Sequence, residues 1–176
     1  MRCCDEIEFS RLISFDPNLR LSLWKTPEEA RKRILYGMKQ CDIMKISEEE
    51  VAFVSEQESL EKGVSFIRDN SDKKILFVTL GNKGSIAYYK DEKIYCGGIH
   101  QEHVVDTTGA GDTFCGAVLS RILELGTDAL TEKDIREMLL FANAAASIVV
   151  TRKGALCSMP EPEEIRAASS LIDKVL

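Results

Sequence analysis

The stretch VVDTTGAGDTFCGAVLSRILELG, Val104 to Gly126, changes character half way along. Two threonines, two glycines and an alanine lie between Asp106 and Asp112. From Asp112 an amphipathic helix is predicted to run to Leu125, with Gly126 as its stop. The glycines let backbone N–H groups converge without side-chain clash. The free N–H groups of the helix's first turn add to them and make an anion site. Asp112 sits among those donors as a carboxylate able to accept a hydrogen bond. A carboxylate base beside an anion cradle suits phosphoryl transfer to a hydroxyl: the base takes the alcohol's proton while the N–H groups hold the charge of the moving group. A tight turn followed by an ordinary N-terminal helix acid uses the same residues, and both readings stand at this point. A dinucleotide GxGxxG and a Walker GxxxxGK[ST] are both absent from the sequence.

Outward from this motif, strands and helices alternate. Leu12–Asp16 reads as a short buried strand ended by Pro17-Asn18. Thr26-Pro-Glu-Glu29 reads as a capping box with proline at the first helical position, opening a helix to about Gln40. Asp42–Ile46 is a second strand, and Ser47-Glu-Glu-Glu50 opens a helix with the same capping spacing. A helix over Ser59–Asp69 leads to Ile75–Thr79, a continuously apolar run fit for a parallel strand covered on both faces. Ile86–Tyr89 and Lys93–Cys96, joined by Asp91-Glu92, look like a hairpin, and His103–Asp106 reads as a strand feeding the glycine motif. Thr131 caps a long alanine-rich helix through about Val150. The alternation predicts an α/β fold with a mostly parallel sheet.

Composition narrows the function classes. The 176 residues suit one domain or a large piece of one, 44% apolar and 30% charged. A net charge of −6 argues against a nucleic-acid surface, which would carry a basic stripe. No apolar run approaches membrane-spanning length, and Met1-Arg-Cys-Cys-Asp leads into no apolar signal core. The six cysteines form no CxxC pair and read as free thiols in a reducing cytoplasm. Cys96, His100 and His103 are too irregularly spaced to argue for a metal centre.

Asp106-Thr-Thr-Gly-Ala-Gly-Asp-Thr-Phe-Cys-Gly116 resembles the C-terminal signature of the PfkB (ribokinase-like) carbohydrate kinases. Phe15-Asp-Pro-Asn-Leu-Arg-Leu-Ser-Leu-Trp24 resembles a segment that fructokinases and 2-keto-3-deoxygluconate kinases carry. Val78–Gly84 resembles the family's nucleotide-binding strand and turn, and Phe141–Ala146 and Val150–Ala155 its C-terminal helix and following loop. The resemblance implies a three-layer α/β/α ribokinase-like sheet and an ATP-dependent sugar kinase that uses Mg²⁺ and a monovalent cation such as K⁺. It implies Asp112 as catalytic base, with Gly109, Ala110 and Gly111 as the anion hole. Thr79, Gly81 and Gly84 would contact ATP, and Asn143 would lie near the adenosine. Asp106 and Thr108 would hold the cation together with Val149, Arg152, Gly154 and Ser158. Arg20, with Asn18, would face the phosphates or the acceptor. Ser47 and Glu50 occupy the place of the family's Asn-x-x-Glu motif, whose glutamate organises Mg²⁺ and phosphate, although the same four residues also suffice for a capping box. Trp24 is expected to pack rather than bind.

Family members are nearly twice this long, and their N-terminal half supplies the lid and most sugar-binding residues. Residues 1–176 are therefore expected to be the C-terminal nucleotide-binding and catalytic part of such a kinase. Alone they are expected to be inactive on sugar, and exposed strand edges favour a homo-oligomer or a complementing N-terminal half. The same resemblance accommodates ribose, 2-keto-3-deoxygluconate or a nucleoside as acceptor, or a non-catalytic nucleotide-binding or interaction module.

Overall fold

The computed structural model describes residues 12–172, which divide into two compact units between Val78 and Thr79. Cys3 and Cys4 lie outside the described residues; Cys41, Cys96, Cys115 and Cys157 are free thiols.

In the first unit, β1 (Ser14–Phe15) pairs in parallel with β2 (Ile43–Ser47), Ser14 opposite Ile43, and β3 (Ile75–Thr79), of which all but Thr79 belongs to this unit, lies on the far side of β2. Three helices connect these strands: α1 (Pro27–Gln40), α2 (Glu48–Ser55) and α3 (Leu60–Asp69). Thr26 caps α1 by accepting the Glu29 N–H, with Pro27 at the first helical position. Both halves of the capping box close at α2, where Ser47 Oγ accepts the Glu50 N–H and Glu50 returns a carboxylate oxygen to the Ser47 N–H. Ile43, Met44, Ile46 and Ile75 to Val78 are buried, as strands covered on both faces require.

The second unit is built on an antiparallel hairpin, β4 (Gly84–Tyr89) and β5 (Glu92–Gly97), Ile86 opposite Tyr95. Its turn is Lys90-Asp91, one residue earlier than the sequence suggests, with Lys90 in the left-handed region at φ 51°. α4 (Ala110–Leu125) packs against α5 (Glu132–Val149), which also covers the hairpin. Thr131 caps α5 in a reciprocal pair with Asp134. A final helix, α6 (Pro162–Ile172), packs on α5. The sequence reading assigned no helix there, although Glu161-Pro-Glu-Glu164 carries the proline and acids of a helix start.

One expected element does not form. His103–Asp106 is not a strand: the N–H groups of Val105 and Asp106 both donate to the Val150 carbonyl, at 2.8 and 3.2 Å. With the end of α5 as their partner, no strand ladder forms, and Val104 and Val105 stay more than half exposed.

Candidate functional site

The glycine motif folds as a tight entry into α4. Gly109 is the N-cap, in the left-handed conformation at φ 84°. A Cβ at that position would lie 2.9 Å from Ala155 Cβ, so a side chain is excluded by both backbone conformation and contact. The Ala110 N–H reaches the Thr107 carbonyl at 3.3 Å and the Thr113 N–H the Gly109 carbonyl at 2.8 Å. No side chain caps this helix, so first-turn N–H groups are left for an outside acceptor. Asp112 is exposed in that first turn. Beside it, Thr113 Oγ1 is buried and makes no hydrogen bond. An uncapped helix start fits an anionic ligand bringing its own oxygens.

Two segments brace this entry. Asp106 Oδ1 accepts the Thr108 N–H at 2.9 Å, and Oδ2 accepts the Gly154 N–H at 3.2 Å. A hydrogen bond with the Thr108 side chain, followed by the N–H groups of Thr108 and Gly154, holds the Asp106 carboxyl below its ordinary value. Ser158 Oγ donates to the carbonyls of Gly154 and Ala155. The Val149 carbonyl accepts the Arg152 N–H at 3.0 Å. The donor set is one carboxylate and several carbonyls, each carbonyl with a lone pair to spare, which fits a hard monovalent cation. Arg152 fits it only through its main chain: its guanidinium turns to the Ser158 carbonyl at 3.4 Å and forms an ion pair with Glu164 at 2.6 Å.

The turn after β3 carries three residues expected to contact nucleotide, Thr79, Gly81 and Gly84. Thr79 is half-buried at the end of β3, and Leu80 N–H closes the turn on the Gly84 carbonyl at 2.8 Å. Gly84, at φ 108°, has no room for a Cβ, which would fall 2.2 Å from the Cys96 carbonyl oxygen. Gly81 is exposed and open, with nothing within 4 Å of a Cβ. The two glycines thus differ: Gly84 is demanded by the hairpin, whereas Gly81 leaves space for a ligand. Asn143 is buried in α5, its amide oxygen taking the Ser85 hydroxyl at 2.9 Å and its amide nitrogen donating to the carbonyls of Cys96 and Gly97 at 3.2 Å. It clamps α5 to the end of the hairpin.

In the first unit, Glu50 is buried and each carboxylate oxygen accepts a backbone N–H: Leu19 at 2.6 Å and Ser47 at 2.9 Å. The capping role is therefore real. Spare lone pairs remain for a water of a hydrated Mg²⁺, a fit through water rather than by direct cage. Among the described residues no group of three His, Cys, Asp or Glu could hold a metal. Asn18 is exposed at φ 44°, its N–H on Asp16 Oδ1 at 3.2 Å. Arg20 is exposed, with Nη1 on the Leu19 carbonyl at 3.1 Å, and Trp24 is half-buried. Sequence reasoning missed Lys45, whose ammonium is buried against Asp16 at 3.2 Å. Its signal was a cation inside the apolar run Ile43-Met-Lys-Ile46.

The model of the pfkB family carbohydrate kinases matches residues 2–162. Fructokinase-1 of Zea mays is 42% identical over 160 residues, covering 90% of this chain and 49% of the relative. Among solved structures, a double mutant of Vibrio cholerae O395 fructokinase in fructose, ADP and potassium ion bound form is similar at a TM-score of 0.79 and 32% identity, over 88% of this chain and 49% of that one. A putative ribokinase II from E. coli in complex with ATP and Mg²⁺ is similar at 0.75 and 31%, over 91% and 49%. The chain spans about half the length of the first curated relatives it matches. These neighbours share the ribokinase-like α/β architecture expected from the sequence, here with a mixture of parallel and antiparallel pairing. By the match over residues 2–162, the chain belongs to the pfkB family of carbohydrate kinases.

Proposed function

We propose that this chain supplies the nucleotide-binding and catalytic part of a cytoplasmic, ATP-dependent sugar kinase with fructose as acceptor. The observation that carries the reading is the start of α4: an exposed Asp112 in the first turn of an uncapped helix entered through Gly109. Asp112 takes the proton from the acceptor hydroxyl. That oxygen forms a bond to the γ-phosphorus of ATP as the bond from phosphorus to the bridging oxygen breaks, and ADP leaves with the electron pair. The backbone N–H groups of Gly109 and Gly111, and that of Ala110 on giving up its long 3.3 Å bond to the Thr107 carbonyl, stabilise the charge on the moving phosphoryl group.

The remaining roles follow unit by unit. In the second unit, Thr79 and Gly81 contact the nucleotide, and Gly84 and Asn143 hold the turn and hairpin end that carry them. Asp106, Thr108 and the main chain of Val149, Arg152, Gly154 and Ser158 would hold a K⁺ ion, which would brace the entry to α4. In the first unit, Arg20 and Asn18 face phosphate, while Ser47 and Glu50 would hold waters of Mg²⁺, which would supply neutralisation of phosphate charge. The bound ligands named for the Vibrio cholerae and E. coli structures support ATP, sugar, Mg²⁺ and K⁺ as the ligand classes. A homo-oligomer or a complementing N-terminal half completes the sugar site.

The test is a chimaera in which this chain replaces the matching half of Zea mays fructokinase-1, assayed by coupled ADP release. Fructose-dependent turnover is expected. Release of ADP at the same rate with and without fructose would contradict the sugar-kinase reading.

A further inference from the structure

In the first unit, three charged side chains are packed at the junction of β1, β2 and α2. Lys45 and Glu50 are 7% and 8% exposed, and the Asp16 side chain 15%. Lys45 Nζ lies 3.2 Å from Asp16 Oδ2 and 3.4 Å from Oδ1. Asp16 Oδ1 also accepts the Asn18 N–H, closing the turn in which Asn18 takes its left-handed conformation. One residue further on, the Leu19 N–H donates to Glu50 Oε1 at 2.6 Å. The segment from Asp16 to Arg20 is thus tied down twice, and both ties lead to residues of one strand–helix junction, Lys45 and Glu50. Arg20, at the free end of these ties, keeps an exposed guanidinium.

A buried ammonium is stable only when paired, and a buried carboxylate that loses its partner is strongly destabilising. Burial is the largest influence on Asp16 and pushes its carboxyl above the ordinary value; Lys45 opposes this and Glu50 adds to it. Lys45 is therefore the one ammonium, among the described contacts of Asp16, that lets two neighbouring carboxylates share this junction. The Asp16 tie needs that charge, and the Asn18 turn needs the Asp16 tie.

We propose that Lys45 is a positioning residue that sets the Asp16–Arg20 segment and, through it, the aim of Arg20 at a polyphosphate. The second half of this statement rests on the kinase reading above. Lys45 acts through Asp16 and touches no ligand itself.

Two readouts test it on the whole chain. Amide hydrogen exchange at Asn18 and Leu19 should speed up by about tenfold or more in Lys45→Met and stay near normal in Lys45→Arg, with Ile67 in α3 protected throughout as a sign of an intact fold. If Lys45→Met alone fails to fold, Asp16→Asn/Lys45→Met removes both charges and should show fast Leu19 exchange with Ile67 still protected. Mg·ATP titration followed by emission from Trp24, the sole tryptophan, gives the second readout. Lys45→Met and Arg20→Ala should each weaken binding by about tenfold, and the double variant should be no weaker than Arg20→Ala, since coupled residues are non-additive. Unchanged exchange at Asn18 and Leu19 in the folded variants, or additive losses of affinity, would overturn the proposal. Absence of any nucleotide binding by the wild-type chain would instead count against the kinase reading, and the exchange measurement would then decide the role of Lys45 alone.

Discussion

Gly154 donates its backbone N–H to Asp106 Oδ2 at 3.2 Å, joining residues 48 positions apart in sequence. This bond fastens the loop after α5 to the segment that enters α4, and Ala155 packs on Gly109 just beyond it. The Gly109 entry to α4 is thus held from outside its own helix.

That brace predicts a cation dependence. A K⁺ ion at about ten times its Kd would add about 1.4 kcal/mol to stability. The thermal midpoint should therefore be higher in K⁺ than in tetramethylammonium at equal ionic strength. Asp106→Asn should abolish the difference. Equal midpoints for the wild type in both salts would leave Asp106 as a loop fastener only.

Close packing of Gly109 on Ala155 makes a second prediction. Gly81→Ala meets open space at φ 60° and should lose only the left-handed backbone term, about 1–2 kcal/mol. Gly109→Ala carries the same kind of term at φ 84° and must also displace Ala155. It should exceed Gly81→Ala by about 1–3 kcal/mol in urea unfolding. Equal losses would show that the loop yields freely.

The motif around Asp112 was legible because its physics is local: glycines, a helix start and an acid lie within seven residues. Caps at Thr26, Ser47 and Thr131 were legible for the same reason. At Thr26 only half of the expected box is seen, since the bond observed is Glu29 N–H to Thr26 with no return from the Glu29 side chain. What stayed hidden depends on tertiary partners. The valines at 104 and 105 favour a strand, yet the Val150 carbonyl captures their segment. Asn143 is expected near the adenosine, and the fold adds what its amide bonds to, Ser85, Cys96 and Gly97. Lys45 became meaningful once Asp16, 29 residues away, was brought against it.

The Asn143 clamp is testable by charge as well as size. Asn143→Ala strands Ser85 and two carbonyls and should lower stability by about 1–3 kcal/mol. Asn143→Asp keeps the shape and the Ser85 bond, but sets a carboxylate against the carbonyls of Cys96 and Gly97. It should be at least as harmful as alanine in the same urea experiment. Near-wild-type stability for the aspartate variant would refute the clamp.

The central claim is that Asp112 is the base, and one substitution tests it most directly. In the chimaera with the Zea mays half, Asp112→Asn keeps the size of the side chain and removes its ability to take a proton. Fructose-dependent turnover should fall by about 10²–10⁴-fold, with Mg·ATP affinity changed little. Turnover within a few-fold of the unmodified chimaera would contradict the account and leave Asp112 as an acid at a helix start.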